Sequence, residues 1–300
     1  MTIHLKLLLA TMFWGATPTI GRVLASYEAP FIVVFGRFVV AAICLVLLMH
    51  LGRQFKKVPK VLWWKFLILG ITGILLHNGL LYEGLESVTA SHASILLALI
   101  AVQVTILDAI VSKRLPSTIT MVGVFFGFIG VVYVITDGDL YLLREIVFRR
   151  GEILVFCSGL SWAIYSVVGK DLLRRYPPIL VTTYAALIGL IFLFPFAIAD
   201  TGKTVAIYSD PKSIGLIFFL GSFGSALAFV WYYQAVSQIG VISTSVYVNF
   251  VPIFGVLSAH VFLNEPLANS LFTGGAIVFI SLMIVTLCSS NTGDHSRESD

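Results

Sequence analysis

Residues 31–51 read FIVVFGRFVVAAICLVLLMHL, a run whose single full charge is Arg37. The hydrocarbon core of a bilayer is about 30 Å thick, and a helix crosses it with about 20 apolar residues. This stretch has that length. In hydrocarbon the backbone must satisfy its own N–H and C=O groups, which a helix does internally. The run therefore predicts a membrane-spanning helix. The alternating pattern of an outer-membrane β-strand is absent from it.

The same pattern recurs in both directions. Runs of matching character lie at 5–25, 31–51, 62–82, 89–112, 117–136, 152–172, 178–199, 214–236, 241–263 and 270–289, so ten spans are expected. Hydrophobic residues make up 58% of the chain, charged residues 11%, and the mean hydropathy is +0.99. A soluble domain needs about 25% charged residues to cover its surface. The net charge of +4 comes from Lys and Arg between the runs, which excludes a nucleic-acid surface. Cys44, Cys157 and Cys288 fall inside apolar runs without CxxC spacing, so they read as packing residues and no metal site is expected. The first run follows Lys6 but lacks a small-residue cleavage site, so it reads as a retained span.

Orientation follows from the basic residues. With the N-terminus in the cytoplasm, Lys6, Arg53, Lys56, Lys57, Lys60, Lys65, Lys113, Arg114, Lys170, Arg174, Arg175 and Arg297 face inward. Arg22, Arg144, Arg149, Arg150, Lys203 and Lys212 face outward. The expectation is a multi-pass protein of the cytoplasmic (inner) membrane with both termini inside. The polar residues 290–300 are expected to be a disordered cytoplasmic tail.

The chain also repeats itself. Trp14, Arg22 and Pro30 recur as Trp162, Lys170 and Pro178 at one offset, and Tyr82 and Pro116 match Tyr232 and Pro266 at an offset two residues larger. The halves are 1–145 and 146–289. Five spans is an odd number, so the second half enters the membrane inverted. Inverted repeats with a site near the midplane mark alternating-access carriers.

Several motifs keep their order across both halves: Trp14-Gly15, Pro30 with Arg37-Phe38, Trp162-Ala163-x-Tyr165, Tyr232, Asn249-Phe250-Val251-Pro252 and Leu263-Asn264-Glu265-Pro266. In these the chain resembles the drug/metabolite transporter superfamily, in particular its EamA-type ten-helix members. The resemblance implies an all-α membrane fold of two inverted five-helix repeats around a central cavity. It also implies secondary carriage, commonly efflux, of amino acids or other metabolites without a nucleotide-hydrolysing subunit. The fourth span departs from the pattern, with Val102 where the ninth has Pro252 and Leu115 where it has Glu265.

Polar residues inside spans are costly and turn toward protein or water. Asp108 is the one acidic residue well inside a run, a candidate for proton coupling or for an ion pair at the inner interface. Gln103 and Asn249 offer amides to a solute or to a neighbouring helix. Asn78 and Tyr82 share a helix face, suited to a cavity wall, and His77 reads as a packed residue. Trp14, Trp162, Tyr165, Tyr184, Trp231, Tyr232 and Tyr247 can line a cavity with flat faces and polar tips. Trp63 and Trp64 read as interface anchors. Arg37 reads as structural, snorkelling outward or pairing with Glu83 or Glu86, and Glu265 likewise. Pro18 and Pro252 are expected to kink their helices. Gly70, Gly73, Gly221 and Gly224 place small residues on the third and eighth spans, where helices can pack closely.

The expected partners are a small-molecule substrate, protons as a candidate coupling ion, and membrane lipid. No cofactor and no catalytic residue are expected, because a membrane-embedded enzyme would show paired carboxylates or clustered histidines. Two alternatives stand beside export of amino acids: import or exchange of nucleotide-like or sugar-like solutes, and a channel or scaffold.

Overall fold

The computed structural model describes residues 1–25, 30–85, 87–88, 93, 96–139, 141, 149–199, 204–263 and 269–294. Within these the chain is helical and contains no strand. In chain order the main helices are α1 (Ile3–Ala25), α2 (Pro30–Leu51), α3 (Lys60–Leu85), α4 (Leu96–Ser112), α5 (Thr118–Ile135), α6 (Arg150–Leu173), α7 (Pro178–Ala199), α8 (Pro211–Ile239), α9 in two pieces (Val241–Tyr247 and Phe250–Leu263) and α10 (Ser270–Asp294). A short helix, Thr204–Ser209, precedes α8.

Among the described residues each predicted run overlaps one of these helices; 89–92 and 94–95 of the fourth run lie outside them. Seven of the helices (α2, α3 and α5 through α9) are, among the described residues, long and apolar enough to cross a membrane. The apolar stretches of α4 and α10 are shorter, Leu96–Ser112 and Ser270–Val285. Helix α10 runs to Asp294, past Ser289 and into the segment expected as tail. Glu86, Arg144, Lys203, Asn264, Glu265, Pro266 and Arg297 lie outside the described residues.

Local chemistry sets the helix ends. The Ser117 hydroxyl accepts the Thr120 N–H at the start of α5, and the Asp210 carboxylate accepts the Lys212 and Ser213 N–H groups at the start of α8. Such side chains satisfy donors that have no intrahelical acceptor. Helix α4 ends at Lys113, whose φ of 53° is left-handed, and Pro116 follows. Gly240, with φ 84°, lets the chain reverse between α8 and α9.

Polarity runs opposite to that of a soluble protein. Ile191, Phe272 and Leu115 are exposed, while Ser166, Thr183 and Ser245 are buried. An apolar outside suits lipid, and buried hydroxyls find partners within the bundle. Thr183, for example, donates to the Ile179 carbonyl at 2.6 Å.

The helices pack in a regular scheme. Helix α1 lies against α8 and α9, and α6 lies against α3 and α4. Helix α2 lies against α8, and α7 against α3. Pairs α2–α7, α4–α9 and α5–α10 also pack together. Shifting each helix number by five maps these pairs onto one another, while α6–α8 and α5–α9 contacts lie outside that correspondence. Both α3 and α8 also carry a π-helical stretch, Gly70–Leu76 and Leu220–Leu227, at corresponding places. The expected glycine seams are there: a Cβ on Gly70 would lie 2.6 Å from Ile188 Cγ2 of α7, and one on Gly221 2.6 Å from the Arg37 carbonyl oxygen of α2.

Candidate functional site

Four helices bring an aromatic cluster to the middle of the bundle. Trp14 of α1 and Trp162 of α6 meet edge to face, with ring centroids 5.4 Å apart. Tyr232 of α8 lies 5.8 Å from Trp14 and 5.2 Å from Trp162. Tyr165 lies 5.1 Å from Trp162, and His77 of α3 lies 4.7 Å from it. Phe229 meets Trp14 and Trp162 edge-on at 5.9 and 5.1 Å. The expected cavity residues Trp14, Trp162, Tyr165 and Tyr232 are thus brought together.

The polar tips are only partly engaged. Trp14 Nε1–H donates to the Gly224 carbonyl at 2.8 Å, within the π stretch of α8. The Tyr232 and Ser166 hydroxyls are 2.7 Å apart. Tyr82 Oη, Trp162 Nε1, Tyr165 Oη, Gln103 Oε1 and both amide atoms of Asn249 are buried without a hydrogen-bond partner among the described residues. Native proteins leave few such atoms, because each costs the desolvation of a polar group. All five residues were candidate binding residues by sequence.

The other candidates lie elsewhere. Asn78 turns its amide back onto its own helix, donating to the Gly73 and Ile74 carbonyls at 3.2 and 2.9 Å. Those carbonyls belong to the π stretch of α3, where the stretched ladder leaves acceptors in need of a donor. Tyr247 sits beside the start of α1, its hydroxyl 2.5 Å from His4 Nδ1. Gln103 reaches from α4 to α6, donating to the Phe156 carbonyl at 3.3 Å, and fills the space that a side chain on Gly159 would need. The Asn249 amide lies against Gly127 of α5. Helix α9 breaks at Val248 and Asn249, one turn before Pro252, and the bonds there become i to i−3. Proline at 252 lacks an N–H for the Val248 carbonyl, which accounts for the break. Helix α1, by contrast, runs unbroken through Pro18.

Asp108 is held in an ion pair. Lys170 of α6 donates to its two carboxylate oxygens at 2.7 and 3.0 Å. Lys113 and Arg114, its near neighbours in sequence, are not the partners. The pair lines a cleft of about 560 Å³ with Ser112, Arg114, Arg174 and Ile242. His77 is packed, as expected: the Ser158 hydroxyl donates to its carbonyl at 2.8 Å and lies 3.1 Å from its Nδ1.

Arg37 differs from its expectation. It is 4% exposed and so does not snorkel. Glu83 pairs with Arg150 at 2.6 Å instead. The Arg37 Nε–H donates to Ser225 Oγ at 2.5 Å. The Tyr82 hydroxyl lies within reach of its charge without completing a hydrogen bond. Arg37 is thereby tied to α8 one residue beyond the Gly224 carbonyl that accepts from Trp14. The signal was present in the sequence as the only cation deep in a predicted span. Ser225, one residue beyond the Trp14 acceptor, carried no signal.

Comparison with known proteins follows the same lines. The chain is 26% identical to the uncharacterized transporter YyaM of Bacillus subtilis (strain 168), covering 99% of this chain and 98% of that protein. It is 29% identical to an uncharacterized transporter of Archaeoglobus fulgidus, covering 94% and 96%. A solved crystal structure of a protein with 15% identity matches it with a TM-score of 0.75, over 96% of this chain and 98% of that one, a likeness of fold. The sequence model of the EamA-like transporter family matches residues 1–136 and 149–287. By that match across nearly its whole length, the chain belongs to the EamA-like transporter family.

Proposed function

We propose that this multi-pass membrane protein is a secondary active transporter that moves small metabolites across the cytoplasmic membrane by alternating access. Ten spans form two inverted five-helix repeats, with both termini in the cytoplasm. The cargo is an amino acid or related compound, and the direction is export. The observation that carries this reading is the aromatic cluster around Trp14 and Trp162. It gathers residues from both halves, and Trp162 and Tyr165 there hold buried polar atoms with no partner among the described residues. A carrier site is expected at such a place, between repeats and near the midplane. The five-step correspondence of packed helices and the two matched segments support the repeat. The transporter names of the relatives support the activity.

Purified protein in proteoliposomes should give saturable flux of a metabolite without ATP, driven by an ion gradient or by counter-solute. Flux equal to that of empty vesicles across a broad panel of amino acids, sugars and nucleotides would overturn the proposal.

A further inference from the structure

Arg37 is a charge that the transport reading leaves without a task. It lies about two turns inside α2, and no acidic side chain pairs with it among the described residues. A buried ion without a counter-ion is strongly disfavoured, so its persistence needs a cause. Ser225 takes only one of its N–H groups. A guanidinium presents further donors in a planar fork that matches a carboxylate.

The surroundings point the same way. Gly224 and Ser225 are consecutive on the π stretch of α8; the first accepts from Trp14 and the second from Arg37. The cation and the aromatic cluster therefore share one wall. The groups left unmatched in that cluster are the Tyr165 hydroxyl and the Trp162 indole N–H. Both can donate, and the indole can only donate. Among the described residues the cluster holds no carboxylate to receive a cation. The cleft at the Asp108 end is lined by Arg114, Lys170 and Arg174 against the single acid, a balance that draws anions.

We infer that the central site takes a small carboxylate-bearing solute, with its carboxylate on Arg37 and its apolar body against Trp14, Trp162 and Phe229. The inference rests on the transport reading of the same cluster and narrows the cargo to organic anions, including the carboxylate of an amino acid.

The test uses purified full-length protein in detergent. Phenylacetate, cyclohexanecarboxylate and 4-methylpentanoate are each titrated beside their neutral amides, and both thermal unfolding and tryptophan fluorescence are followed. The carboxylates should raise the unfolding midpoint saturably, as ligands of the folded state do, and the amides should not. Arg37→Gln should weaken carboxylate binding by roughly thirtyfold or more. Arg37→Lys, which keeps the charge but loses the fork, should weaken it less. If no carboxylate stabilises the wild-type protein above its amide, the inference falls. It also falls if Arg37→Gln binds carboxylates undiminished. The wild-type comparison needs no variant, so misfolding of Arg37→Gln leaves the test intact. Flux restricted to neutral or cationic solutes would keep the transport proposal and overturn this one. Carboxylate binding without flux of any solute would do the reverse.

Discussion

Trp14 and Trp162 meet edge to face, with ring planes at 85°. They stand at corresponding places in the two halves of the sequence. Under the proposed repeat, a residue that touches its own counterpart lies on the axis relating the halves. The contact is then one point on that axis at which the two repeats meet.

That contact predicts coupling. Trp162 is 3% exposed, and truncating a buried tryptophan costs about 3–5 kcal/mol. Trp162→Ala should lower the unfolding temperature in detergent accordingly. The Trp14→Ala and Trp162→Ala effects should be non-additive by about 0.5–1.5 kcal/mol in a double-mutant cycle, the worth of an aromatic pair. Additive effects would place the two rings in independent environments.

Asp108 and Lys170 form an ion pair between α4 and α6. Breaking such a pair leaves one charge unmatched, so Asp108→Asn should cost about 1–3 kcal/mol, less than for a fully dry pair. Asp108→Asn with Lys170→Met should recover most of it and keep gradient-driven flux. Loss of gradient-driven flux with retained substrate exchange in the double variant would instead make Asp108 the driving-proton carrier.

Helices α5 and α10 approach through glycine. A Cβ on Gly274 would sit 2.6 Å from the Gly130 carbonyl oxygen. Gly274→Ala should therefore force the pair apart and cost about 1–3 kcal/mol. A Cβ on Gly215 meets nothing within 4 Å, so Gly215→Ala should change stability by less than about 0.5 kcal/mol or raise it slightly. Thermal unfolding of the two variants side by side reads the difference.

The Asn78 amide donates to two carbonyls of its own helix, Gly73 and Ile74. Asn78→Leu strands two buried carbonyls of the π stretch, each worth about 1–3 kcal/mol when unmatched. The variant should unfold at lower temperature yet bind phenylacetate with unchanged relative preference over its amide. A change of preference at intact stability would return Asn78 to the binding surface.

Much of this was legible in the chain. Length and apolarity fix a helix in hydrocarbon without reference to neighbours, so among the described residues each predicted run overlaps a helix. That Trp14 and Trp162, read from sequence as cavity or packing residues at mid-depth, touch each other came only from the structure. Asn78 and Tyr82 were read together because they share a face at one-turn spacing. One turns back onto the π stretch and the other faces Arg37, since a local change of helical pitch rotates the faces that spacing assumes. Tyr247 and Asn249 separated for a similar reason, because the break before Pro252 redirects the amide toward α5.

The sequence by itself determined a helical membrane protein, because spanning a bilayer constrains length, polarity and backbone pairing residue by residue. Only the tertiary structure decided which polar groups are matched. Asp108 found Lys170 on another helix, Glu83 found Arg150, and Arg37 was left on Ser225 with no acid among the described residues. In a chain apolar on every face, periodicity does not say which way a helix turns. That rotation is set by the close approach of neighbouring helices, and it alone put Arg37 on Ser225.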